Sequence, residues 1–461
     1  MADGDTQKLD GIAFLPAGIC SRPFKVTGKG QRVGVMSVEH TSPHPIKANA
    51  RILTASLVGT AVEFYDFYIY ATAAALVFGP LFFPAESAQA QVLLSFMSFG
   101  LAFVARPFGA IAFGHFGDRI GRKSTLVASL MLMGGSTVLI ALLPTYQMVG
   151  WVAPLLLCIL RFGQGFGLGG EWGGATLLAV ENAPKGWAAR FGAAPQLGAP
   201  VGFLAANGLF LLLGLWLSEA DFIAWGWRIP FLASAILVIL GLWVRLKIGE
   251  TPAFRAALER EPPPAVPFGR LVRGHPFAVL AGSAGVVACF AIFYLSTAFA
   301  LSWGTAQLGY EREHFLTIQL AANTFLAFGI IFAAYWADSA SPRKVLGWGA
   351  ALTMALGLVF GPGLESGSTL PIFLTLASGL FIMGVVYGPI GAWLPTLFPV
   401  PVRYTGISIA FNVGGMIGGG LAPIAAQLVA GDGGASRVGL LLSVAGFASL
   451  LGVIFAKPVK A

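Results

Sequence analysis

Glu63, Asp66, Arg106, Arg161 and Glu171 lie inside stretches otherwise apolar enough to cross a bilayer. On insertion scales a charge at the bilayer centre costs about 2.5–3.5 kcal/mol, so such groups are paired, hydrated or used to move a solute. Glu63 and Asp66 stand three residues apart, roughly on one face of a helix. Two carboxyls in one low-dielectric patch do not both stay ionised cheaply, so one can hold a proton near neutral pH. Gln164, Leu168 and Glu171 follow Arg161 on approximately one helical face. An acid that takes a proton near a guanidinium is the outline of a proton site. The competing reading of Asp66 and Arg161 is a static buried ion pair that fixes helix packing. For Glu63 it is a carboxylate capping a water-filled vestibule, and for Glu171 a salt bridge to Arg106 or Arg161. Arg106, just before Pro107, either attracts an anion or snorkels to the headgroups on its long stem. Three acids, Glu63, Asp66 and Glu171, oppose two bases, Arg106 and Arg161. One protonation brings that set to neutrality, and a carboxylate solute is then best tolerated together with a further proton.

Helices must position these groups. The chain has 461 residues, 56% hydrophobic and only 10% charged, with a mean hydropathy of +0.79, far from a soluble globular composition. A span needs roughly 20 apolar residues, and about twelve such stretches are predicted. They begin near Ile52, Gln91, Thr125, Gly150, Ala193, Ile229, Phe277, Phe315, Val345, Leu370, Gly406 and Val438. Their continuous, Gly- and Ala-studded character excludes the short alternating strands of a barrel. The fold class is all-α and polytopic. The net charge of +8 does not indicate nucleic acid, because the bases occupy alternate connections. Arg119, Arg122, Lys123, Lys185, Arg190, Lys247, Arg343 and Arg403 share one side with other bases, against Arg228, Arg312 and Arg437 on the other. Both termini are therefore expected to be cytoplasmic, in a cytoplasmic (inner) membrane.

Glu250 to Pro276 is charged and proline-rich, and divides the chain into a six-helix bundle at 51–249, a cytoplasmic central loop at 250–276 and a second bundle at 277–461. Residues 1–50 form a tail expected to be disordered, without a signal-peptide pattern. Asp118-Arg119 to Lys123 after the second span is echoed by Asp338 to Arg343-Lys344 after the eighth. Cys20, Cys158 and Cys289 are isolated and read as packing residues. No HExxH, GxSxG or Walker loop occurs, so neither an enzyme nor an ATP-driven pump is expected, and no metal or cofactor. His115 falls in a loop and His314 at a span end, which leaves no histidine relay.

Three segments carry a resemblance: GTAVEFYDFYIYATAAALVF from Gly59, FVARPFGAIAFGHFGDRIGRK from Phe103, and RFGQGFGLGGEWGGATLLAVENAPK from Arg161. With GWRIPF from Gly226, ETPAF from Glu250 and FPVPVRYTG from Phe398, the chain resembles the major facilitator superfamily. More narrowly it resembles that superfamily's metabolite:proton symporter family, which includes shikimate, α-ketoglutarate, citrate and proline/betaine carriers. The resemblance implies twelve helices in two six-helix halves around a midplane site. Related sugar:proton symporters pair a first-helix acid with a fourth-helix arginine, and Asp66 and Arg161 match those positions. Protonating Asp66 would then release Arg161. The resemblance further implies gating by Gly114, Asp118, Arg119, Gly121, Arg122 and Lys123, with Glu181, Arg190, Asp338 and Arg343 in the related loops. Two departures stand out: the second-half loop reads ADSASPRK, without the glycine or the Asp-Arg step, and Lys185 and Arg190 replace consecutive arginines.

Candidates to line a pathway are Arg106, Tyr65, Gln164, Gln196, Asn207, Tyr294, Asn323, Tyr387 and Asn412. Interhelical hydrogen bonding is the alternative for the amides and tyrosines in later spans, and interfacial anchoring for Tyr65, Tyr68 and Tyr70. The expected function is proton-driven uptake of a small organic acid by a monomer. A proton-independent facilitator or exchanger of the same fold is the second reading. The identity of the solute is not legible, since fold does not fix ligand.

Overall fold

The computed structural model describes residues 45–120, 122–247 and 268–459. Side chains are described throughout these ranges except at 114–126, 243–247, 268, 270, 401, 432 and 433. Most of the expected tail and of the central loop therefore lie outside the described residues. The tail's last part, Pro45–Ala48, is a short helix. Lipid offers no partner to a bare peptide group, so a spanning segment must bond its own backbone. The described residues are accordingly helical, with no strand.

Twelve helices make up the body: α1 (Ala50–Leu76), α2 (Ala88–Ile120), α3 (Arg122–Ala141), α4 (Val152–Glu181), α5 (Ala188–Trp216), α6 (Arg228–Lys247), α7 (Pro276–Ala306), α8 (Arg312–Ser339), α9 (Pro342–Glu365), α10 (Thr369–Leu397), α11 (Arg403–Gly431) and α12 (Gly434–Phe455). Ten contain a window long and apolar enough to span by themselves; Glu219–Gly226 with Arg228–Leu242 forms a span bent by 44°, and Val127–Ala141 is a shorter apolar helix. The all-helical expectation of about twelve spans holds. The expected starts fall late in several cases: α5 begins at Ala188, not near Ala193. Its first turn is stabilised by a carboxylate from a distant helix, which hydropathy does not register.

Several helices break where candidate side chains sit. In α4 a turn at Gly169–Gly170 precedes Glu171. α5 is interrupted at Leu197, directly after Gln196, α7 turns π-helical at Leu295–Phe299, directly after Tyr294, and α10 breaks at Gly388, directly after Tyr387. In α11 the π segment Met416–Leu421 begins just past Asn412. Interrupted helices at membrane depth are tolerated where the freed backbone is buried in protein or lines a cavity.

Within the first half α2 packs on α4, α1 on α5, and α3 on α4 and α6; within the second, α8 packs on α10, α9 on α12 and α7 on α11. The halves meet where α5 crosses α8 and α2 crosses α11. Glycines bring α2 and α4 into backbone contact: a Cβ on Gly165 would lie 2.1 Å from the Ala102 carbonyl oxygen, and one on Gly169 equally close to that of Arg106. This is the close approach that small residues permit in lipid, and it sets the helices of Arg106 and Arg161 side by side.

Candidate functional site

Asp66 is 2% exposed and lies inside the first half. Ser234 on α6 donates its hydroxyl to Oδ1 at 2.5 Å, and Thr137 on α3 lies 3.2 Å from Oδ2. No ion pair joins Asp66 to Arg161 among the described residues. A hydrogen-bonded chain connects them instead. Arg161 Nη1 donates to Gln164 Oε1 at 2.8 Å, and Gln164 Nε2 donates to Thr137 Oγ1 at 2.7 Å. The sequence pattern brings Arg161 and Gln164 onto one face of α4, as observed. It gives no sign of Thr137 or Ser234, which are ordinary hydroxyls in apolar helices.

Arg161 is fully buried. Its guanidinium carbon lies 3.9 Å from the centroid of the Tyr70 ring, 4.2 Å from Phe67 and 5.0 Å from Phe99. Arg106 is likewise buried, its guanidinium 4.2 Å from the Phe67 centroid and 4.6 Å from Phe103. Arg106 therefore does not snorkel to the headgroups; it turns inward onto the ring that Arg161 also touches. Cation–π contacts compensate part of the lost hydration. Nε of Arg106 and both Nε and Nη2 of Arg161 have no hydrogen-bond partner among the described residues. Buried donors on paired cations are costly to leave unfilled, and they suit an incoming anion.

Glu63, Tyr68, Tyr294 and Tyr387 are electrostatic neighbours of Arg106, so both halves contribute to this cluster. Tyr68 stacks on Phe293 of α7 with centroids 4.8 Å apart, and Tyr294 packs edge-on against Phe99 and Phe103. Of the three α1 tyrosines, Tyr68 is the one brought to the opposite half. Tyr65 instead donates to the Pro230 carbonyl at 2.8 Å, and Tyr70 shares a 2.8 Å hydrogen bond with Ser98. Below this layer Trp172 lies flat on Phe411 with centroids 3.5 Å apart, and its indole N–H donates to Gln196 Oε1 at 3.3 Å.

The polar groups of later spans mostly bridge helices. Asn323 donates to the Pro200 carbonyl at 2.9 Å, and Asn412 to that of Gly169 at 2.8 Å, each crossing between halves. Gln196 Nε2 reaches the Tyr387 carbonyl at 3.5 Å. Asn207 accepts from Thr72 at 2.6 Å within the first half. Glu171 is buried and accepts from Ser129 on α3 at 2.5 Å.

Among the described residues, two ion pairs join the halves near their ends. On the base-rich face, Asp338 at the end of α8 accepts from the Ala189 and Arg190 amides at 2.8 and 3.2 Å and from Arg190 Nε at 2.6 Å. An acid of the second half thus caps the N-terminus of α5, where both amide donors and dipole favour it. The departures in its loop do not prevent this. On the opposite face, Arg312 of α8 pairs with Glu219 of the first half at 3.0 Å and with its neighbour Glu313 at 2.6 Å. Its guanidinium lies 3.6 Å from the Phe222 centroid. Arg343 makes no bond to the first half among the described residues; it donates to the Val453 and Ile454 carbonyls at the end of α12, at 3.0 and 2.7 Å. Glu181 is exposed at the end of α4. The expected loop from Gly114 is helical backbone as far as Ile120, the last turns of α2; Gly121 and the side chains of Asp118, Arg119, Arg122 and Lys123 lie outside the described residues.

Residues 52–263 match the family described as Sugar (and other) transporter. The chain is 45% identical over 417 residues to the inner membrane metabolite transport protein YhjE of Escherichia coli (strain K12), covering 89% of this chain and 94% of that one. It is 37% identical over 390 residues to the shikimate transporter of the same strain, covering 82% and 87%. Its fold is similar to that of the proton:xylose symporter XylE bound to 6-bromo-6-deoxy-D-glucose, with a TM-score of 0.69 at 16% identity, over 89% of this chain and 97% of that one. With the twelve-helix fold and these relatives in hand, the chain belongs to the major facilitator superfamily and, within it, to the metabolite:proton symporter family: it is a multi-pass membrane transporter and not an enzyme.

Proposed function

We propose that this transporter uses the proton gradient to import a small organic acid across the cytoplasmic membrane by alternating access. The observation that carries the reading is the juxtaposition of two buried guanidiniums, Arg106 and Arg161, holding unpartnered N–H donors, with Asp66 embedded behind them among hydroxyl donors. A carboxylate solute supplies the acceptors those donors lack. Its charge then adds to those of Glu63, Asp66 and Glu171, and uptake of a proton on Asp66 offsets the one charge that the solute brings. Glu63, an electrostatic neighbour of Arg106, supports the same balance.

In this proposal residues 51–249 and 277–461 are the two rocking bundles, joined by a cytoplasmic loop at 250–276. The excess of bases on one face supports placing that face, and both termini, in the cytoplasm. The inner membrane named for a relative agrees with this placement. Arg190–Asp338 is then the inner latch and Arg312–Glu219 the outer one, and opening one at a time alternates access. Asp118 to Lys123 is assigned to the inner gate with them. Gln164, Gln196, Tyr294, Tyr387, Asn323 and Asn412 are assigned to the pathway and the joints around it.

Uptake of labelled shikimate, α-ketoglutarate, citrate, phthalate and betaine into proteoliposomes tests the reading. Concentrative uptake of an acid that disappears when the pH gradient is collapsed is the expected result. Uptake unchanged by the collapse overturns it in favour of a proton-independent facilitator or exchanger, and concentration of betaine alone overturns the choice of an acid.

A further inference from the structure

We infer that the Thr137 hydroxyl is the switch through which the protonation state of Asp66 reaches Arg161, with Gln164 as the connecting link and Ser234 as the anchor. This inference rests on the proposed role of Asp66 as the proton site. A threonine hydroxyl has one hydrogen and two lone pairs. Thr137 Oγ1 stands within hydrogen-bond distance of three groups: Gln164 Nε2 at 2.7 Å, the Met133 carbonyl at 3.0 Å and Asp66 Oδ2 at 3.2 Å. Gln164 Nε2 is a donor only, so it takes a lone pair. The single hydroxyl hydrogen must choose between Met133 and Asp66.

The charge on Asp66 decides that choice. An ionised carboxylate is the stronger acceptor, and the hydrogen points to Oδ2. A hydroxyl that donates to an anion is a better acceptor for Gln164, and the polarised amide is a better acceptor for Arg161; bonds in such a chain strengthen one another. Arg161 is then held on Gln164. When a proton from the open face settles on Oδ2, that oxygen becomes a donor to Thr137, whose hydrogen turns to the Met133 carbonyl. The polarisation ceases and the hold on Nη1 weakens. Nη1 then joins Nε and Nη2, already without partners, in offering itself to a solute carboxylate. The proton leaves Oδ2 when the other face opens, which restores the first arrangement. Ser234 keeps Oδ1 fixed throughout.

Other charged or titratable groups around the chain are few. Tyr65 and Glu63 share α1 with Asp66, Tyr65 being tied to Pro230. Arg161 faces Tyr70, Arg106 and Tyr294 besides Asp66. The printed bonds that lead from Asp66 to Arg161 run through Thr137 and Gln164.

Thr137→Val removes the hydrogen and the lone pairs at nearly constant shape; Thr137→Ser keeps both. In proteoliposomes with an imposed pH gradient, Thr137→Val is expected to lower the accumulation ratio about tenfold or more, the loss of one charge-assisted hydrogen bond. It should also flatten the dependence of KM on external pH. Thr137→Ser should restore both. Thermal unfolding of each purified variant separates misfolding from uncoupling. If Thr137→Val does not fold, Gln164→Leu cuts the same chain one bond further on and must flatten the same pH profile. Wild-type accumulation and pH profile in a folded Thr137→Val or Gln164→Leu overturn the switch. Asp66→Asn distinguishes the two levels: if it still accumulates solute, the proton-site reading fails, whereas if it does not and Thr137→Val does, only the switch fails.

Discussion

A buried carboxylate is restrained by what donates to it, and among the described residues Asp66 has two hydroxyls and no cation in direct contact. Hydroxyl donors stabilise the anion less than a guanidinium would, and they adapt to a neutral acid by rotating. That distinguishes this arrangement from a static buried ion pair, whose rupture costs several kcal/mol. Asp66→Asn is expected to cut gradient-driven accumulation by more than about tenfold, measured as the ratio of internal to external solute. At Arg106 the expectation concerns binding. Arg106→Gln removes a charge-assisted donor, and KM for a transported acid should rise by about tenfold or more. Arg106→Lys should recover little of it, because a compact ammonium does not reproduce the flat contact with Phe67 and Phe103. Uptake kinetics on the two variants check both statements.

At the scale of elements, function depends on backbones that approach closely and then break. Arg106 and Arg161 share the Phe67 ring because Gly165 and Gly169 let α4 lie directly on α2. Gly165→Val is expected to destabilise the protein by about 2–4 kcal/mol, through a clash with backbone that has nowhere to move. Gly208→Ala is the control, since a Cβ there meets nothing within 4 Å, and helix propensity favours alanine. Thermal unfolding in detergent reads both. The breaks at Gly169–Gly170, Leu197, Leu295–Phe299 and Gly388 place Glu171, Gln196, Tyr294 and Tyr387 at helix interruptions. Carbonyls freed there serve as acceptors for the other half, as Gly169 does for Asn412 and Gly170 for Tyr404 at 2.5 Å.

At the scale of the whole molecule, ion pairs join the halves at both ends, Arg190–Asp338 and Arg312–Glu219. The first is the better anchored, because Asp338 also takes two backbone amides. Glu219 is largely exposed, and an exposed pair contributes little by itself. Asp338→Asn is therefore expected to favour opening of the base-rich face. A cysteine introduced as Ala189→Cys, in a protein lacking its native cysteines, should react about fivefold or more faster with a water-soluble maleimide when Asp338→Asn is also present. Glu219→Gln should change that rate much less. Equal rates in all three proteins would show that Asp338 does not hold the gate.

How much of this was legible in the chain varies by level. Hydropathy identified the spans because lipid penalises every unbonded peptide group, and the isolated charges within them marked Glu63, Asp66, Arg106, Arg161 and Glu171 as residues needing partners. Helical spacing also put Gln164 beside Arg161. Spacing cannot report which neighbours a helix faces, because rotation about its axis is set by packing against other helices. For that reason the direct Asp66–Arg161 contact implied by resemblance became a chain through Gln164 and Thr137, and Tyr68 rather than Tyr65 met the second half. Hydroxyls such as Thr137 and Ser234 carry no charge and hardly alter hydropathy, so nothing in the sequence singles them out. Only the tertiary arrangement of α1, α3, α4 and α6 brings them to Asp66, and only that arrangement makes the acid's surroundings able to change with its proton.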